Sequence, residues 1–260
     1  MSATTFDEAA RLGRDTRPGF GRLIRVELRK MYDTRAGFWL LLTAAALATL
    51  VAALAMLVGD HDDRTFANAL DFSNQVINFL VPIVGILLVT SEWSQRTAQV
   101  TFTLVPQRGR VLLAKIGAAI VLAVAAFLVT LVVSALFTAI GSGASTAEDV
   151  WSLQAGVLLQ AVLFDVISVL IGVAIGAAIL LSAPAIVASF VLPIGLALIM
   201  ELVPGLDGLT PWLDQSDALS PLTADPLSGK EWAQVLACTA VWCGLPLAIG
   251  FYRFLRNEVR

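Results

Sequence analysis

Apolar residues run along this chain in long unbroken stretches, not in the alternating or every-third-position patterns of a soluble fold. Six stretches are long enough to cross a bilayer, at roughly 37–58, 74–90, 111–140, 153–181, 184–203 and 232–255. A helix rising about 1.5 Å per residue needs about 20 such residues to traverse about 30 Å of hydrocarbon. The fourth and fifth are separated only by Ser182 and Ala183. Ser182 as a cap and Pro184 in the next first turn predict a tight hairpin between two helices. The expected fold class is an all-α polytopic membrane protein.

Ahead of the first span, Phe20, Leu23, Ile24, Leu28 and Met31 recur at helical spacing, while Arg22, Arg25, Arg29 and Lys30 take the other faces. This predicts an amphipathic helix over 19–35, lying in the membrane interface with its cations at anionic headgroups. The competing reading is a basic flank without structure. Residues 1–18 read as a flexible lead and 36–260 as one six-span domain. The first span follows a long hydrophilic lead and lacks a short apolar core with a small-residue cleavage site, so it is not read as a signal peptide.

Composition agrees: 58% of residues are hydrophobic and 14% charged, with a mean hydropathy of +0.83, against about 25% charged residues in soluble domains. The charges also sort by side. Lys and Arg gather before the first span, between the second and third (Arg96, Arg108, Arg110, Lys115), and at the end (Arg253, Arg256, Arg260), leaving only Arg64 and Lys230 opposite. That opposite side carries Asp60, Asp62, Asp63, Asp71, Glu148, Asp149, Asp207, Asp214, Asp217, Asp225 and Glu231. The positive-inside rule therefore puts both termini in the cytoplasm. Aromatic rings gather at the span boundaries, with Trp242 as a mid-span exception. Cys238 and Cys243 lie five apart in one apolar run and make neither a disulfide framework nor a metal site. The sole histidine, His61, lies among outer acids and reads as solvated.

The connection between spans two and three holds the chain's densest mix of charge and apolar contact. Glu92 and Trp93 end the second span, Arg96 follows one turn later, and Val100, Phe102, Leu104 and Val105 precede Pro106 and Gly109. Such a short helix, fixed between two spans, suits docking into a groove on a soluble protein. A plain basic loop resting on the bilayer fits the composition equally. Arg108, Arg110 and Lys115 are expected to anchor the chain at the membrane.

The stretch SEWSQRTAQVTFTLVPQRGRVLLAKIGAA resembles the cytoplasmic loop of bacterial type-2 ABC exporter permeases, in which a Glu and an aromatic close the second span and a Thr-rich stretch follows. A Pro-x-x-Arg-x-x-hydrophobic-x-x-Lys pattern then enters the third. The matching positions are Glu92, Trp93, Thr97, Thr101, Thr103, Pro106, Gly109, Arg110 and Lys115, with Gln95-Arg96 departing from the usual basic-Gly pair. The resemblance implies a permease subunit in a bacterial cell membrane, pairing with a second permease, identical or homologous, around a path for an apolar or amphipathic small molecule or lipid. It implies a separate ABC ATPase carrying ATP and Mg, docked on a coupling helix that includes Glu92, Trp93, Arg96, Thr97, Val100, Thr101, Phe102 and Leu104. The chain has no Gly-x-x-x-x-Gly-Lys-[Ser/Thr] phosphate loop, and Leu227-Ser-Gly-Lys-Glu231 echoes an ABC signature only by coincidence. No catalytic, cofactor or metal set is read in this chain, and no nucleic-acid partner.

Polar groups within spans are the remaining candidates, since a charge at mid-bilayer costs at least about 2.5 kcal/mol. Asp165 shares a helix face with Ser168, Gly172 and Gly176, a small-residue strip that admits a close neighbour. It either lines the substrate path or makes a structural hydrogen bond. Asn74 and Asn78 form a second strip with Pro82, and Glu201 closes the fifth span near its outer end. Proline kinks are expected at Pro82, Pro193 and Pro246. The Pro-rich stretch from Pro204 to Glu231 reads as short broken helices at the outer interface or as an irregular loop. The rival function is a self-sufficient secondary transporter with Asp165 carrying a proton; an enzyme is disfavoured because Asp165 and Glu201 lie at different depths.

Overall fold

The structure is a computed structural model that describes residues 19–94, 108–224 and 226–256. Every regular element in these residues is helical, and six helices are long and apolar enough to span a membrane. An amphipathic helix, α1 (Phe20–Asp33), comes first and turns at Thr34 into α2 (Arg35–Leu57), the first span. The Thr34 hydroxyl accepts from the Gly37 amide at 3.2 Å, satisfying a first-turn donor of the new helix. The next spans are α3 (Phe66–Ser94), α4 (Arg108–Gly141), α5 (Ala155–Ile179) and α6 (Ser182–Leu202). Three short helices follow, α7 (Thr210–Leu213), α8 (Gln215–Leu219) and α9 (Pro221–Ala224). The sixth span joins α10 (Gly229–Thr239) to α11 (Leu245–Arg256) through a π-helical turn at Ala240–Gly244.

The hub is α5. Its apolar window is 61% buried against 11% for α6, so α5 is wrapped by protein while α6 leaves most of its surface outside the chain. Its partner is α3, and both run from the acidic face, which carries α7–α9, to the basic face, which carries α1. The small-residue strip makes this contact: a Cβ on Gly172 would overlap the Pro82 carbonyl oxygen, and one on Gly176 would lie 3.1 Å from the Ile86 Cα. Close approach of this kind drives helix association where lipid removes the hydrophobic incentive. One core of Val81, Val84, Leu112, Val169 and Val173 ties α3, α4 and α5 together, and a second, with Ile171, Leu219, Leu222 and Val235, joins α5 to the short helices and α10.

Two expected boundaries shift. Span two begins at Phe66, so Asp71 lies within a helix and not in a loop. The hairpin turns one residue pair earlier than expected: Leu180 adopts a left-handed conformation with φ 64°, and Leu181, not Ser182, is the N-cap of α6. The Ser182 hydroxyl instead meets Thr90 of α3 at 2.8 Å. Pro184 sits in the first turn as expected. The fragment Ser228-Gly-Lys-Glu231 is a capping box: the Ser228 amide donates to Glu231 Oε2 at 2.6 Å and the Glu231 amide to Ser228 Oγ at 3.4 Å. Its likeness to a nucleotide-binding signature thus has a local helix-starting cause.

Candidate functional site

Among the described residues, two assemblies bring ionisable side chains into the apolar interior. The first sits at the basic face and is built on an anomaly in α1, whose apolar stripe contains Glu27, one turn beyond Leu23 and Ile24 and one before Met31. That stripe packs on α4, with Ile24 against Gly117, and Glu27 is left 4% exposed. Facing it, Lys115 on α4 has no exposed surface at all. Its Nζ donates to Glu27 Oε2 at 2.6 Å and to the Leu88 carbonyl at 2.9 Å, and lies 3.2 Å from Glu92 Oε1. Lys30 completes the ring, donating to Glu27 Oε1 at 2.7 Å and to Glu92 Oε1 at 2.5 Å.

Two ammonium groups therefore alternate with two carboxylates, and their charges balance. Desolvating any one alone would cost several kcal/mol, which is why buried charges are found paired. Burial by itself would lower the pKa of Lys30, but Glu27 and Glu92 outweigh it and hold the group above its ordinary 10.5. Lys30 is thus charged throughout the neutral range. The ring joins the middle of α1, the last turn of α3 and the start of α4, so both flanks of the 95–107 connection are tied to one buried point.

This placement corrects one expectation. Lys115, expected at the headgroups, is sealed inside because its partners Glu27 and Glu92 draw it inward. Glu92 meets Lys30 and Lys115, while Arg96, which was expected to pair with it, lies outside the described residues. Trp93 is half-buried against the main core. Arg96, Thr97, Val100, Thr101, Phe102 and Leu104 lie outside the described residues, as does the side chain of Arg108, while Arg110 is half-buried in the first turn of α4. Glu27 escaped notice in the sequence; its signal was a carboxylate in the middle of an apolar stripe.

The second assembly lies between α3 and α5, deeper in the bundle. Asp165 is 1% exposed, and Asn74 Nδ2 donates to its Oδ1 at 3.0 Å. Asn78, one turn on, donates from Nδ2 to the Asn74 carbonyl at 3.0 Å. Asp165 Oδ2 and the Oδ1 atoms of both asparagines have no hydrogen-bond partner among the described residues. No ion pair reaches the carboxylate there either. The structure thus brings together Asn74, Asn78 and Asp165, with Gly172 and Gly176 forming the close contact below them. Glu201 is exposed at the end of α6 and belongs to neither assembly.

Cavities flank this seam. One, of about 270 Å³, opens beside Asn74 and is lined also by Leu70, Asp71, Leu153, Val157 and Ala161. Another, of about 180 Å³, is bounded by Asn78, Pro82, Phe164, Ser168, Pro193 and Ser216. The short helices cover this end. Asp214 caps α8 by accepting from the Ser216 amide at 2.7 Å, and Trp242 Nε1 donates to the Leu213 carbonyl at 2.8 Å. That bond accounts for the mid-span tryptophan: its indole finds a partner in α7 and not at a membrane boundary. The π turn containing Trp242 directly precedes Pro246, whose missing amide favours such a local adjustment of the helix. Cys238 and Cys243 are both buried and free.

A search of curated proteins finds no match. Residues 23–204, a span that holds both the charged ring and the seam, match the family described as ABC-2 family transporter protein. That match covers well over half of the chain, which also has six helices long and apolar enough to span a membrane. The chain belongs to the ABC-2 transporter family and is a multi-pass membrane component of an ABC transporter, a role that implies an ABC ATPase partner.

Proposed function

We propose that this chain is the permease subunit of an exporter, carrying an apolar or amphipathic small molecule or lipid along a path formed with a second permease subunit. A separate ATPase, which binds ATP and Mg, docks on the connection between α3 and α4 from the cytoplasm, where both termini also lie. The excess of Lys and Arg on that face supports the orientation.

The carrying observation is the charged ring. A loop that receives a push from a docked ATPase must pass it to the spans, and a flexible tether would dissipate the motion. Here Glu92 ends one flank, Lys115 begins the other, and Glu27 and Lys30 lock α1 to both. Displacing the loop therefore moves α1, α3 and α4 together, and α3 carries the motion to α5 through the Gly172 contact.

The test is reconstitution with the cognate ATPase and measurement of ATP-dependent transport alongside ATP hydrolysis. Glu92→Gln is expected to lower transport per ATP hydrolysed at least tenfold. Unchanged coupling would remove the ring from the mechanism. The rival reading, a proton-driven transporter relying on Asp165, requires transport in vesicles that lack the ATPase; a proton gradient alone is expected to drive none.

A further inference from the structure

Asp165 is a buried carboxylate without a counter-ion among the described residues, and its surroundings indicate what would neutralise it. The Asn74 amide must turn its nitrogen toward Asp165, because a carboxylate only accepts; its oxygen is thereby forced away. Asn78 is held the same way by the Asn74 carbonyl. The seam is left with three unmet acceptors: Asp165 Oδ2 and two amide oxygens. Each amide nitrogen spends one of its two N–H groups within the seam, so the one charge there is the carboxylate's.

The flanking cavity has matching character. Its wall beside Asn74 carries Asp71, half-buried on the preceding turn of α3, and its described lining includes no Lys, Arg or His. The remaining lining is largely apolar, with Leu70, Leu153, Val157 and Ala161. At about 270 Å³ it falls just below the range of about 300–1,000 Å³ common for small-molecule sites. Low-dielectric walls around like-signed charge concentrate ions of the opposite sign. A metal is poorly served, since no group of three His, Cys, Asp or Glu gathers among the described residues.

We propose that the Asn74–Asn78–Asp165 seam recognises the ammonium group of a cationic amphiphile, a primary amine on an apolar body, admitted past Asp71 from the acidic face. Three N–H donors of a primary ammonium answer three acceptors, while the apolar body fills the cavity. This identification of the ligand as cargo rests on the transport reading above, but the site itself does not.

Binding of radiolabelled dodecylammonium to the purified full chain in lipid nanodiscs, without the ATPase, tests it. Unlabelled dodecylammonium should displace the label, trimethyldodecylammonium should need at least tenfold more, and dodecanol, ammonium chloride and sodium chloride should not compete. Asp165→Asn, which keeps an acceptor for Asn74, should weaken binding at least tenfold with an unshifted unfolding midpoint. Equal displacement by the quaternary amine or the alcohol would overturn the proposal. Displacement by either simple salt would reassign the seam to an inorganic cation and overturn it equally, as would unaltered binding in Asp165→Asn. If that variant does not fold, the headgroup series on the unmodified chain decides alone. Amine binding that persists while ATP-dependent export is absent would sink the exporter reading and keep the site; export with no amine preference would do the reverse.

Discussion

The charged ring and the polar seam place carboxylates in equally deep burial and treat them oppositely. Glu27 and Glu92 each meet two ammonium groups, and Lys115 has no exposed surface. Asp165 accepts from the neutral amide of Asn74 and keeps an oxygen unmet among the described residues. A cluster whose charges are satisfied internally is a fixed joint, because any rearrangement exposes an unpaired ion to a poor solvent. A carboxylate left short of partners is poised to take one. The difference suits the ring to the proposed coupling and the seam to the proposed ligand.

The sharpest way to break the comparison is Lys115→Met. It removes the central cation and leaves Glu27 and Glu92 sharing Lys30 alone, one charge short of balance, and breaking a buried pair in this way costs about 3–5 kcal/mol. Unfolding in detergent should show that loss. Glu27→Gln combined with Lys115→Met restores charge balance and should recover most of it. Wild-type stability in Lys115→Met would mean that the ring is not a joint.

The contact that links the two regions comes next. Gly172→Leu forces a side chain into the Pro82 carbonyl, and overpacking of this kind costs about 1–3 kcal/mol. Thermal unfolding measures the cost, and a disulfide or spin-label distance between α3 and α5 should lengthen. An unchanged separation would argue that the close approach is not what holds them.

How far the sequence reached follows the same division. The spans and the place of the hairpin were legible because each is a local signal: a long apolar run, and a break in one too long for a single helix. Asp165 was legible because a lone charge in a span stands out. The pairing of Glu27 with Lys115 was not, since the two are 88 positions apart and a lysine near a span end has a cheap alternative at the headgroups. The first two turns of α3 were missed because Asn68 and Asp71 break the apolar run, although that face turns toward the interior. Trp242 looked misplaced until α7 supplied the carbonyl it needed.

The pH response sharpens the ring's side of the comparison. The pKa of Lys30 is raised in the fold, so its contribution is complete below the ordinary value of 10.5 and fades only as pH climbs through the raised one. Unfolding midpoints should stay flat, as far as this group is concerned, from neutrality to about pH 10 and decline above it. Lys30→Met should lose stability at neutral pH and show a shallower alkaline decline. A decline of the same depth in that variant would place its origin elsewhere.

The smallest stability effect is expected where the sequence seemed to promise a large one. Asp165→Asn replaces a buried carboxylate with a group of nearly the same shape, and one of its atoms can still accept from Asn74. What disappears is the charge, which has no counter-ion among the described residues. Removing an unpaired buried charge is close to neutral or mildly stabilising, within about 1 kcal/mol, because the desolvation cost goes with it. The same unfolding assay that registers Lys115→Met should barely register this substitution. A loss comparable to that of Lys115→Met would show that Asp165 is as structurally committed as the ring, and the contrast between a fixed joint and an open acceptor would collapse. Near-silence in stability, together with a change in ligand binding, would locate the role of Asp165 in what enters the seam.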